Sequence, residues 1–123
     1  MRILIAPNAY KGSLDAVAAA AAIASGLADS PLAHESILHP VADGGDGTAA
    51  LLARHLVGET LLFNVRDPLG RPISAPLTIA NGGRTALIGM ADASGLRLLA
   101  PEERDPLRAS SSGTGELIRH ALD

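Results

Sequence analysis

One lysine and two closely spaced aspartates carry the clearest chemical signal in this sequence. Lys11 lies in a polar stretch after a short apolar run. Asp43 and Asp46 flank Gly44 and Gly45 and are followed by Gly47 and Thr48. Glycine reaches left-handed backbone conformations without a Cβ penalty, so Asp43–Thr48 suits a sharp turn. Free N–H groups at the start of the following helix would face a phosphate or carboxylate above that turn. The aspartates would repel a bare anion, which favours a divalent metal or a hydroxyl group sharing the site. Moving a phosphoryl group to a hydroxyl needs charge neutralisation, alignment and a carboxylate, and Lys11, Asp43 and Asp46 are the types required. The same residues also read as a strand-to-helix loop capped by Asp46 or Thr48, with Lys11 a solvated side chain.

Other candidates are weaker. Gly113-Thr114-Gly115 forms either an anion nest or a plain helix entrance. Ser94 and Ser110–Ser112 offer hydroxyls without an evident base. The four histidines lack a tight metal-ligand spacing. Neither Gly-x-Gly-x-x-Gly nor Gly-x-x-x-x-Gly-Lys-Ser/Thr occurs, and there is no Gly-x-Ser-x-Gly elbow.

The elements that must position these groups follow a wound α/β pattern. Arg2 to Ala6 is nearly all apolar, as in a strand covered on both faces, and Pro7 closes it. Ser13 is a candidate N-cap for a helix with Asp15 in its first turn. Its apolar side would hold Leu14, Val17, Ala21, Ala24 and Ala28, widened by Ile23 and Leu27. Glu35 to His39 reads as the second strand, Thr48 to Leu56 as a helix stopped by Gly58, and Glu59 to Val65 as a third strand. Parallel strands would carry the loops of Lys11 and Asp43 to one sheet end, where ligands of open α/β sheets bind.

After Asp67–Pro72 the pattern changes. Ile73–Ile79 and Ala86–Ala91 flank Asn81-Gly82-Gly83 as an antiparallel hairpin, with Pro76 marking an edge strand or bulge. Asp92 to Leu96 reads as a loop. A final helix near Thr114 carries Leu117, Ile118, Ala121 and Leu122 and stops while its apolar face is still being laid down. The expected division is therefore 1–66, the opening of a first α/β domain, and 67–123, the incomplete start of a second, inserted one.

Composition narrows the class. The 123 residues are 47% hydrophobic and 19% charged, with net charge -3. That apolar content argues against disorder, and the acidic balance argues against a nucleic-acid partner. No run is long enough to span a membrane. Cysteine is absent, which excludes disulfides and thiolate metal sites. A soluble cytoplasmic protein is expected.

Six blocks carry a family resemblance. Ile5-Ala6-Pro7, Lys11-Gly12-Ser13-Leu14 and Val41–Thr48 are followed in order by Pro68-Leu69-Gly70-Arg71-Pro72, Ala93-Ser94-Gly95-Leu96 and Gly113–Ile118. Together they resemble the amino-terminal part, roughly the first third, of bacterial glycerate kinases of type 1. The resemblance implies two α/β domains around a cleft, one inserted in the other. It also implies phosphorylation of D-glycerate with ATP and Mg2+. On that basis Lys11 would contact phosphate or the glycerate carboxylate, and Asp43 would act as base or organise the metal with Asp46. Gly44, Gly45 and Gly47 would expose backbone donors, while Ser94, Gly113 and Thr114 would line the cleft. Three departures stand out: Tyr10 replaces a usual phenylalanine, Asp46 a usual glutamate, and Gly89 falls in a segment that usually carries a glutamate. The rival readings are a non-catalytic small-anion-binding module, one that self-associates through an uncovered apolar face, and a truncated product without activity of its own.

Overall fold

The computed structural model describes residues 1–123. The chain forms two compact units, Met1–Gly47 and Thr48–Asp123. The mixed α/β class expected from the sequence is what is observed.

In the first unit, β1 (Arg2–Ile5) and β2 (Glu35–Leu38) pair in parallel, from Arg2 opposite Glu35 to Ile5 opposite Leu38. Helix α1 (Ala16–Ala28) is the crossover between them. Its N-cap is Asp15, whose Oδ1 accepts the Ala18 N–H at 2.7 Å, and not Ser13. The reason is local. Tyr10 N–H donates to the Leu14 carbonyl at 2.8 Å, and the Ser13 and Leu14 N–H groups both donate to the Tyr10 carbonyl. Residues 10–14 thus close on themselves, and the helix begins beyond them.

The buried residues of α1 are Ala16, Ala19 and Ala20, whereas Ala21, Ile23 and Ala28 are exposed. The apolar stripe therefore runs one position earlier than its larger side chains suggest. Methyl side chains there let the helix lie close to β1 and bury Ile5. The opposite face of the strands is not covered within this unit: Leu4 is 63% exposed and its register partner Ile37 38%.

The second unit is built on an antiparallel sheet in the order β3 (Gly58–Arg66), β4 (Pro72–Ala80), β5 (Thr85–Ile88). The expected β4–β5 hairpin is present, and Asn81, Gly82 and Gly83 all turn through positive φ. However, β3 pairs along its whole length with β4, from Gly58 opposite Ala80 to Arg66 opposite Pro72. Strand β3 therefore belongs to the second unit, so contacts divide the chain earlier than the expected 66/67 change of domain. Central β4 tolerates Pro76 because the β5 pairing starts only at Leu77. At Pro76 one side of the strand is unpaired, and a missing N–H costs little there.

Short helix α2 (Thr48–Ala53) packs against β4 and β5, and Gly58 opens β3 instead of ending that helix. Met90–Ser94 forms one helical turn, α3, where the end of the hairpin strand to Ala91 and the start of a loop were expected, so β5 stops at Ile88. The last helix, α4 (Ser112–Leu122), begins two residues before Thr114. Val65, Ala75, Leu77, Ala93 and Leu117 form the core, with Phe63, Ile73, Ile79, Ile88 and Ala121 packed around it. The alternate residues of β3 and β4 thus meet one face of α4. Only part of the predicted α4 stripe is used: Leu117 is fully buried, whereas Ile118 is 48% and Leu122 83% exposed.

The turn between β3 and β4 is a polar knot. Asp67, only 2% exposed, accepts the Leu69 and Arg71 N–H groups on Oδ1 at 2.8 and 2.9 Å and the Arg71 Nε–H on Oδ2 at 2.5 Å. The Arg71 Nη1–H donates to Glu103 at 2.7 Å and its Nη2–H to the Leu98 carbonyl at 3.3 Å. Burial works to raise the Asp67 pKa. The bonds from the Arg71 side chain, the Arg71 and Leu69 amides and the Arg71 charge outweigh it, and the net shift is downward from 3.8.

Two predictions follow from this packing. Leu117→Ala should destabilise the chain by about 3 kcal/mol, while Leu122→Ala should stay within about 0.5 kcal/mol, read as urea midpoints by circular dichroism. Because the folded Asp67 pKa lies below 3.8, its stabilising contribution is complete above that value and is lost as pH falls through the lower folded value. The urea midpoint should therefore fall on acidification below about pH 4, and Asp67→Asn should flatten that fall.

Candidate functional site

The first cluster grows from the parallel pairing in the first unit. Beyond the strands, His39 N–H donates to the Ile5 carbonyl at 2.8 Å and Val41 N–H to the Pro7 carbonyl at 3.0 Å. The two chains stay side by side as they leave the sheet. The loop bearing Asn8 and Lys11 and the loop bearing Asp43 to Gly47 therefore emerge from the same edge.

Asp43 is well defined within its loop. Its Oδ1 accepts the Gly45 N–H at 3.0 Å. That bond, joined by a side-chain bond from Asn8, holds the Asp43 pKa below 3.8. Like any exposed aspartate, Asp43 is ionised at neutral pH. Such a group is a good cation ligand or electrostatic partner and a weak proton acceptor. The Gly45 N–H is already engaged by Asp43, so it is not a spare donor for an anion. Gly44 and Gly47 adopt φ of +93° and +82°, which is where the turn requires glycine. Asp46 is exposed in the same loop.

Lys11 sits at the exposed tip of the closed 10–14 loop, next to Gly12 at φ +74°. It borders a groove of about 490 Å³ whose other walls include Tyr10, Ser13, Leu14 and Ile23. A cation at the rim of an apolar groove can fix the charged end of a small anion. A larger groove of about 600 Å³, among Arg66, Gly70, Glu116, Arg119 and His120, contains none of the predicted residues.

The second cluster lies in the second unit. Ser94 at the end of α3 and Thr114 in the first turn of α4 share a hydroxyl–hydroxyl hydrogen bond of 2.7 Å. Gly113 beside them is buried, and a Cβ there would fall 1.8 Å from the Arg66 carbonyl oxygen. Glycine at 113 is thus what lets α4 touch β3. Gly89 has a neighbour the sequence did not suggest: a Cβ there would fall 2.2 Å from Asp92 Oδ2. A carboxylate, itself paired with Arg97, already occupies that space.

No group of three or more His, Asp or Glu side chains is placed to hold a metal. Asp43 and Asp46 still suit Mg2+, which is commonly bound by one or two carboxylates together with substrate phosphates and water.

Sequence reasoning missed Asn8, whose only signal was its position at the end of the first strand. It also missed Asp67 and Arg71 as a paired unit, although both fall within or beside one of the resemblance blocks.

A sequence model described as the glycerate kinase family matches residues 3–123. The chain belongs to the glycerate kinase family. It is 44% identical over 123 residues to the glycerate 2-kinase of Escherichia coli K12, covering 100% of this chain and 32% of that protein. A glycerate kinase of Haemophilus influenzae is 42% identical with the same two coverages. A crystal structure described as a glycerate kinase 2 of Salmonella typhimurium LT2 superposes with a TM-score of 0.70 at 43% identity, covering 100% of this chain and 33% of that one. The chain spans about a third of the length of the family members it matches.

The geometry of the first cluster gives a direct expectation. Carboxyl carbon NMR should place the Asp43 pKa below 3.8, and Asn8→Ala should move it upward toward that value. An unchanged titration in the variant would remove Asn8 from the site.

Proposed function

We propose that this chain supplies roughly the first third of an enzyme that phosphorylates D-glycerate with ATP, working in the cytoplasm where ATP is supplied. The division into an opening domain over 1–66 and an inserted one from 67 is proposed for that whole protein. The observation that carries the reading is the shared sheet edge: a lysine loop and an aspartate loop leave parallel strands side by side, and Asn8 ties them together. Family membership supports the reaction class.

In this reading a glycerate hydroxyl oxygen attacks the γ-phosphorus of ATP. The new O–P bond forms as the bond to the β,γ-bridging oxygen breaks, the hydroxyl proton passes to a phosphate oxygen and on to solvent, and ADP leaves. Such a transfer is governed by alignment and charge neutralisation. Lys11 neutralises a phosphate oxygen or the glycerate carboxylate. Asp43 and Asp46 hold Mg2+, which supplies charge neutralisation on the phosphates when bound. Gly44 and Gly47 let the loop fold tightly enough to bring its backbone to the ligand. Ser94 and Thr114, beside Gly113 in the second unit, offer a ligand contact of their own through their hydroxyls.

The test is to place this chain in the matching third of the Escherichia coli relative and follow ADP formation with D-glycerate. Turnover is expected, and Asp43→Asn should lower kcat about a hundredfold. A chimera that melts cooperatively and binds ATP yet yields no turnover would reject the assignment. Near-normal turnover in the variant would reject the role of Asp43.

A further inference from the structure

Ser94 closes α3 and Thr114 lies in the first turn of α4, and the chain that leaves the one and enters the other has little regular structure of its own. Beyond Ser94 the chain runs through single 3-10 turns at Leu96–Leu98 and Pro101–Glu103. Ser110 and Ser111 lead into α4. Neither stretch pairs with a strand, so their positions must be fixed by side chains or isolated bonds.

Both are fixed by the same five-residue turn between β3 and β4. The Arg71 guanidinium reaches the first stretch at two points, the Leu98 carbonyl at 3.3 Å and Glu103 at 2.7 Å. Glu103 also accepts the Ala100 N–H at 3.0 Å, which closes the second 3-10 turn around the contact. The Pro68 carbonyl accepts the Ser110 N–H at 2.9 Å and so anchors the second stretch. One residue before the turn, the Arg66 N–H donates to Glu116 at 2.8 Å, and the Arg66 carbonyl lies against Gly113. Buried Asp67 holds the turn in shape and fixes Arg71 Nε from behind.

We infer that Arg71 is a positioning residue for the Ser94–Thr114 hydroxyl pair. It touches neither hydroxyl and acts through Leu98 and Glu103, with Asp67 setting its orientation. A guanidinium is needed because three partners in different directions are bonded at once. A lysine ammonium keeps the charge but cannot span Asp67, Leu98 and Glu103 in the same fixed fork. The inference rests on the proposed function only in giving the hydroxyl pair a ligand to contact.

Two measurements separate the anchoring from that reading. In the 123-residue chain, Arg71→Lys should speed amide exchange at Leu98, Ser110 and Thr114 about tenfold or more, with the β3 amides unchanged. Equal exchange at those three amides in both proteins overturns the anchoring. In the chimera, Ser94→Ala and Arg71→Lys should each raise one KM about tenfold, for the same substrate, with kcat little changed. The double variant should be no worse than Ser94→Ala alone, because both act on one contact. Full additivity would make Arg71 a general stabiliser and overturn the inference. An unchanged KM in Ser94→Ala would instead overturn the hydroxyl pair as a ligand contact, leaving the exchange rates to decide the anchoring.

Discussion

Parallel pairing of β1 with β2 is the constraint on which the candidate site depends. Two parallel strands cannot be joined by a tight turn. The chain must travel back along the sheet, and α1 makes that journey. Both loops that follow the strands then open at the same edge, however different their sequences. The bonds from His39 to Ile5 and from Val41 to Pro7 extend the pairing past the regular strands. Lys11 and Asp43 are 32 residues apart in sequence, yet their loops share that edge through backbone geometry alone. Within it, the Asp43 carboxylate is engaged by the Gly45 amide and the Asn8 side chain, and these bonds lower its pKa below the ordinary value.

The second unit solves a different problem. Its sheet is antiparallel, and the stretch joining its two hydroxyl-bearing helices is mostly irregular. The turn after β3 therefore acts as the scaffold. A buried carboxylate, Asp67, is tolerated because every bond it accepts opposes its desolvation. Its partner Arg71 carries that order outward to residues 98 and 103. The same region of β3 meets α4 at Gly113, where the absence of a side chain permits backbone-to-backbone contact. Two segments distant in sequence are in this way held against one turn.

Much of this was legible in advance, though unevenly. The strands announced themselves through apolar runs bounded by proline and glycine, and the β4–β5 hairpin through Asn81-Gly82-Gly83. The start of α1 was misplaced because Ser13 and Asp15 are both good caps. What decided between them was the closure of residues 10–14. Its buried stripe was shifted because alanine carries almost no hydrophobic contrast, and larger Val17 and Ile23 pulled the phase toward themselves. Strand β3 was legible as a strand, but its pairing with β4 was not, for a general reason. Alternation shows that a strand exists and not which strand it pairs with.

By itself the sequence determined the types of group available, the elements carrying them and the family to which they belong. These are local properties, written in spacing and composition. Only the tertiary structure decided that Asn8 reaches Asp43, that Asp67 is buried behind Arg71, and that Gly89 lies beneath the Asp92 carboxylate. Each of those depends on residues brought together by pairing and packing between elements. A side chain's charge state and reach are set by such neighbours, and no stretch of sequence read alone contains them.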